Sequence, residues 1–156
     1  MNTPCPTRYN KVAMILESVD IKPDGAIPAL HTCDGANVSP HLEWSDVPEG
    51  TKSFALSCFD PDSPSGNFLH WLVVNVPAMT REISQGGKTG GDDLKNDFSG
   101  RGYGGPCPMK GTHHYVFTVY ALKTGHVENI TKENFVSVME QNMLGKAELI
   151  GKYRRK

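Results

Sequence analysis

Four side chains that can bind ions or move protons lie in stretches that otherwise read as buried β-strand: Asp60, His70, His113 and Tyr115. In the run Ser53 to Phe59, alternation puts Phe54, Leu56 and Cys58 on one face and brings Asp60 onto the same face. The run Phe68 to Val76 is apolar on both faces, as in a strand covered from both sides. Strict alternation there groups His70 with Phe68, Leu72 and Val74. In His113 to Leu122, one face carries His113, Tyr115, Phe117 and Val119, and the other carries His114, Val116, Thr118 and Tyr120. A carboxylate and two imidazoles on apolar faces require partners, because a buried polar group without one is costly. Such a set can hold an anion, hold a metal or transfer a proton. Each member also has a plainer explanation. A lone histidine is usually satisfied by its neighbours, and Asp60-Pro61-Asp62-Ser63-Pro64 has the composition of a simple turn.

The elements that must position these groups follow from the same pattern. Lys11 to Ser18 reads as a first strand, and a turn-rich segment follows to Pro40. His41 to Trp44 forms a short strand, and Pro48-Glu49-Gly50 turns the chain into Ser53 to Phe59. Between Thr80 and Gly111 the chain is glycine-rich and poor in large aliphatics, too long a stretch for a plain connection, so it reads as a functional or packed loop. Thr131 is an N-cap candidate. Phe135, Val138, Met139 and Met143 recur at helical spacing, with Gly145 as the expected stop. Ala147 to Tyr153 reads as a final strand. Many strands and one late helix predict a mainly β protein, an antiparallel sandwich of Greek-key type with a peripheral C-terminal helix, in one domain over 1–156.

The 156 residues carry a formal net charge of −1, which removes the electrostatic case for nucleic-acid binding. No run is long and apolar enough to span a bilayer, and Met1 to Lys11 lacks the apolar region of a signal peptide, so a cytoplasmic location is expected. Cys5, Cys33, Cys58 and Cys107 are irregularly spaced, unlike zinc pairs or a redox CxxC. Reduced structural thiols are the default reading, with a pairing of Cys33 left open.

Taken together, Asp60-Pro61-Asp62-Ser63-Pro64, His70-Trp71 and Gly111-Thr112-His113-His114-Tyr115 resemble the signature of the phosphatidylethanolamine-binding proteins, also known as Raf-kinase-inhibitor-like proteins. Ser39-Pro40-His41-Leu42-Glu43-Trp44, Asn96-Asp97-Phe98 and Tyr103-Gly104-Gly105-Pro106-Cys107-Pro108 support the resemblance, the last two toward its bacterial and archaeal branch. The resemblance implies a sandwich with a small anion pocket at one end. It assigns to that pocket Asp60, His70, Gly105, Pro106, His113 and Tyr115, with Asp62 bracing the turn. Where the family usually has Arg between its His and Tyr, this chain has His114, on the opposite face of the strand.

The function implied is non-catalytic binding of a phosphorylated small molecule or phospholipid headgroup, with no cofactor or metal. The resemblance also implies a protein kinase or protease as partner. The histidines and the tyrosine are expected to donate hydrogen bonds, with glycine-loop amides approaching the anion and Asp60 orienting a histidine. Two histidines and a carboxylate also permit a second reading, a metal-assisted or acid–base hydrolase on Asp60, His70 and His113. An exposed sheet edge permits a homodimer.

Overall fold

The computed structural model describes residues 13–155. Among these residues, eight strands and one α-helix follow one another as β1 (Ile15–Glu17), β2 (Leu42–Ser45), β3 (Ser53–Asp60), β4 (Phe68–Pro77), β5 (Glu82–Ile83), β6 (Asp92–Asp93), β7 (His113–Leu122), α1 (Lys132–Asn142) and β8 (Met143–Tyr153). A 3-10 turn, Ala29–His31, lies between β1 and β2. They make a three-stranded sheet, β1-β2-β5, and a five-stranded sheet, β6-β4-β3-β7-β8, with every named pair antiparallel. The predicted two-sheet β architecture with a late helix is therefore what the chain adopts. The centre of the larger sheet is β3, flanked by β4 and β7. Of the segment expected as the first strand, Lys11 and Val12 lie outside the described residues.

Two apolar clusters explain why β3 and β4 read as apolar on both faces. Between the sheets, Leu16, Leu42, Trp44 and Ile83 pack with Phe54, Leu56, Trp71, Val73, Phe117 and Val119. On the other face, Ala55, Leu69, Leu72 and Val74 pack under Phe135 and Met139 of α1. Burying side chains of this size contributes about 1.5–3 kcal/mol each, which is what holds a single helix of 11 residues against the sheet. Its N-terminus is closed reciprocally: the Asn134 N–H donates to Thr131 Oγ1 at 3.3 Å and the Thr131 N–H to Asn134 Oδ1 at 2.8 Å.

Three expectations are corrected. First, the helix ends at Asn142, before Gly145, because Met143 is already extended and pairs with Leu122 of β7. Gly145 instead lies within β8, where an added Cβ would sit 3.0 Å from Pro48 Cγ. Second, Cys33 and Cys107 form a disulfide across a sequence separation of 74, so these two are not reduced thiols. The fold brings their segments together, with Tyr103 Oη donating to the His31 carbonyl at 2.7 Å and the Cys33 N–H to the Pro106 carbonyl. Cys58 is a free buried thiol, and Cys5 lies outside the described residues.

The third correction concerns β4, which does not alternate strictly. Cys58 pairs with Trp71 and Phe59 with Leu69, leaving His70 as an extra residue. Such a bulge turns neighbouring side chains toward the same side. Thus Trp71 joins the inter-sheet core while Leu69 and Leu72 face α1, and His70 does not share the face of Leu72 and Val74. A second shift, Phe54 with Val76 but Leu56 with Val73, is accommodated at Asn75, whose φ is 60°.

Candidate functional site

At one end of the larger sheet, the tip of β3 supplies Asp60, the bulge of β4 supplies His70, and the first residues of β7 supply His113 and Tyr115. They line a cavity of about 310 Å³, with Phe68, Phe98, Cys107, Pro108 and Met109 around them. The bulge is what turns His70 toward this end. The His70 ring lies 5.2 Å from both Tyr115 and Phe98, edge to face in each case, while His113 stacks near Tyr115 at 6.5 Å.

The hydrogen bonds fix both imidazoles. His70 Nδ1 donates to the Gly104 carbonyl at 2.6 Å, since a carbonyl can only accept. His113 Nδ1 meets Asp60 Oδ2 at 2.7 Å. Asp60 Oδ1 also accepts the Asp62 N–H at 2.8 Å, so the carboxylate ties the acidic turn to β7. Tyr115 is fully buried, and its hydroxyl has no protein hydrogen-bond partner among the described residues. Burial, followed by the charge of Asp60, pushes the Tyr115 phenol well up, so it stays a neutral donor.

Burial holds His70 below the ordinary histidine value of 6.5, against the opposing pull of the Gly104 carbonyl and Asp60. The folded state therefore binds this proton less readily than the unfolded chain. Stability from this group is present above pH 6.5 and is lost as pH falls through the depressed folded value. Nitrogen-15 NMR is expected to show His70 as the Nδ1–H tautomer at neutral pH, gaining charge only below 6.5. A midpoint above 6.5 would contradict the assignment.

These bonds correct the expected donor roles. The Nδ1–H of His70 points to backbone, so a neutral His70 offers the cavity an Nε2 lone pair in place of an N–H. The glycine-loop amides are also committed: the Gly104 N–H donates to the His70 carbonyl at 2.9 Å and the Gly105 N–H to Asn37 Oδ1 at 2.9 Å. Gly105 and Pro106 are buried behind the cavity wall and do not line it. Asp62 also stays outside, accepting both the His114 N–H at 2.8 Å and a bond from His114 Nδ1 at 2.7 Å. These two bonds from His114 lower the Asp62 carboxyl. His114 points away from the cavity, on the side that strand alternation predicts.

Met109 is a lining residue that no sequence motif includes, while Phe98 and Cys107 enter the sequence reading only within motifs and Phe68 only as a strand neighbour of His70. Phe98 and Met109 are large apolar residues left exposed, a signal that becomes legible only once the strands are placed.

Two other clusters merit comparison. Ligand atoms of His41, Glu43 and Glu82 lie within 4.8 Å of one another, the one such trio among the described residues. His41 Nδ1, however, accepts the Val19 N–H at 3.0 Å, so a neutral ring carries its proton on Nε2 and donates it to Glu82 at 2.7 Å. A metal would need that lone pair, so the trio is a hydrogen-bonded cluster. A cleft of about 580 Å³ at the start of α1 includes Lys95, Arg101 and Lys132. There Lys132 is paired with Asp97 and the helix end is capped by its own side chains.

Comparison with known proteins identifies the family and supports the fold. Residues 17–154 match the family model described as phosphatidylethanolamine-binding protein. Among similar curated proteins, a UPF0098 protein of Aquifex aeolicus is 43% identical over 143 residues, covering 83% of this chain and 81% of its own. One from Methanothermobacter thermautotrophicus is 42% identical, covering 84% and 92% respectively. Among solved structures, Escherichia coli YbcL, described as a new member of the mammalian PEBP family, superimposes with a TM-score of 0.86 at 37% identity, over 93% of this chain and all of its own. The putative phosphatidylethanolamine-binding protein homolog CT736 of Chlamydia trachomatis gives 0.87 at 32%, over 92% and 99%. With a family model matching nearly the whole chain and these relatives beside it, the chain belongs to the phosphatidylethanolamine-binding protein family.

Proposed function

We propose that this is a binding protein whose cavity at Asp60, His70, His113 and Tyr115 takes a small phosphorylated ligand or the headgroup of a phospholipid. The observation that carries this reading is the Tyr115 hydroxyl, a fully buried donor without a protein partner among the described residues, on a residue that lines the cavity. Leaving such a group unmade costs roughly 1–3 kcal/mol, which a ligand oxygen recovers. Family membership supports binding as the general role. The second reading, an acid–base hydrolase, draws on the Asp60–His113 pair, in which a carboxylate orients an imidazole.

Among the described residues, no helix is long and apolar enough to cross a membrane. The Cys33–Cys107 bridge supports an oxidising compartment and weighs against the cytoplasmic location expected from the N-terminal residues. A kinase or protease partner is not required by this reading.

A thermal-shift titration with phosphoethanolamine tests it. At about a hundredfold excess over Kd, binding stabilises by about 2.7 kcal/mol, a rise of roughly 5–10 °C for a domain of this size. The rise should saturate and should disappear in His113→Ala. Unchanged melting at millimolar ligand would refute the headgroup reading. Release of inorganic phosphate during the titration would favour the hydrolase.

A further inference from the structure

The cavity combines a lone pair, a hydroxyl donor and little positive charge, and that combination restricts the ionic form of what it binds. Its lining contains no lysine or arginine. The charged and titratable groups around His70 are Asp60 from β3, His113 and Tyr115 from β7, and Asp97 from the loop after β6. Asp97 is itself occupied, accepting the Leu69 N–H at 2.8 Å and pairing with Lys132. Asp62 and His114 bind each other outside the cavity. Even with His113 charged, its positive charge is matched by Asp60 at 2.7 Å. A dianion would thus enter a site of no net positive charge and meet the Nε2 lone pair of His70, whose only ring N–H is held by the Gly104 carbonyl.

Building on the binding function proposed above, we propose that the cavity selects the monoprotonated form of a phosphate monoester, with His70 Nε2 accepting a hydrogen bond from the P–OH. Tyr115 Oη donates to one of the remaining oxygens. His70 is then the residue that determines specificity. It rejects the fully ionised ester, which has no proton to give, and equally a sulfate ester or a phosphodiester, each with a single negative charge but no acidic O–H. Of the two ligands named above, the inference therefore keeps the small phosphate monoester and excludes the intact phospholipid headgroup.

Three simple probes without an amine test this on the wild-type protein by calorimetry: ethyl phosphate, ethyl sulfate and ethylphosphonate. At about pH 6, near the second ionisation of a phosphate monoester, roughly half of it still carries its second proton. There ethyl phosphate should bind at least about fivefold more tightly than ethyl sulfate, half of the roughly tenfold expected for one hydrogen bond of about 1.5 kcal/mol. Its affinity should then fall about tenfold per pH unit above that ionisation, because the monoanion fraction falls in that proportion. The phosphonate ionises at higher pH, and its fall should be displaced by the same interval. Equal binding of sulfate and phosphate would overturn the proposal. So would a fall at one common pH for phosphate and phosphonate, which would mark a protein group as the one titrating. Absence of binding by all three probes at every pH would refute the phosphoryl-binding function itself, and this inference with it.

Discussion

Gly105→Ala is expected to lower stability by at least about 3 kcal/mol, the upper part of the range for forcing an atom into a closed space. A Cβ at this position would lie 2.1 Å from the His31 carbonyl oxygen and 2.4 Å from Asn37 Oδ1. Neither atom can yield cheaply. The first is backbone in a segment cross-linked to this one, and the second accepts the Gly105 N–H. Relief requires the two segments to separate, which also moves Gly104, the partner that holds His70. Gly125→Ala is the control, because its nearest neighbours stand 3.9 Å from an added Cβ. Urea unfolding should show a large fall for Gly105→Ala and almost none for Gly125→Ala. A midpoint for Gly105→Ala equal to wild type would show that the two segments are not packed as described.

Removing the disulfide with Cys33→Ser should lower stability by about 4 kcal/mol, from the entropy of the loop that it closes. That loop spans a sequence separation of 74. For a chain of this size the loss corresponds to roughly 8–16 °C in Tm. Wild type under a dithiol reductant should melt with the variant, since Cys33 is exposed and open to attack. Peptide mapping without reduction should recover Cys33 and Cys107 in one linked fragment. Wild type that is insensitive to reductant would contradict the bridge.

Much of the site was legible because strand alternation and short motifs are local properties. Phe54, Leu56 and Cys58 do carry Asp60 on their face, and Tyr115 lies with Phe117 and Val119. His114 falls on the opposite side, where it binds Asp62. The remainder depends on pairs of segments. The bulge at His70 is a mismatch of register between β3 and β4, and neither strand shows it alone. The end of α1 is set by β8 pairing with β7 from Met143 onward, so a glycine stop at Gly145 was the wrong signal. The glycines at 104 and 105 suggested amides aimed at an anion. They are small for another reason: Phe98 carbons would lie 2.5 Å from a Cβ at Gly104, and the His31 backbone crowds Gly105. Nothing in the spacing of Cys33 and Cys107 could reveal their pairing, which follows from packing of Tyr103 and Pro106 against the 31–37 segment.

The proposal that the buried Tyr115 hydroxyl takes a ligand oxygen as its partner is probed directly by Tyr115→Phe. In the free protein the change removes a buried donor that has no protein partner among the described residues, so stability should hold or rise. Binding of phosphoethanolamine should weaken by about 10- to 150-fold, matching the roughly 1.5–3 kcal/mol of a hydrogen bond to a charged group. Measured together by thermal melting and calorimetry, an equal or higher Tm with weakened binding is the predicted result. A variant that melts lower yet binds as tightly as wild type would show that the hydroxyl serves the fold, and would contradict the proposed site.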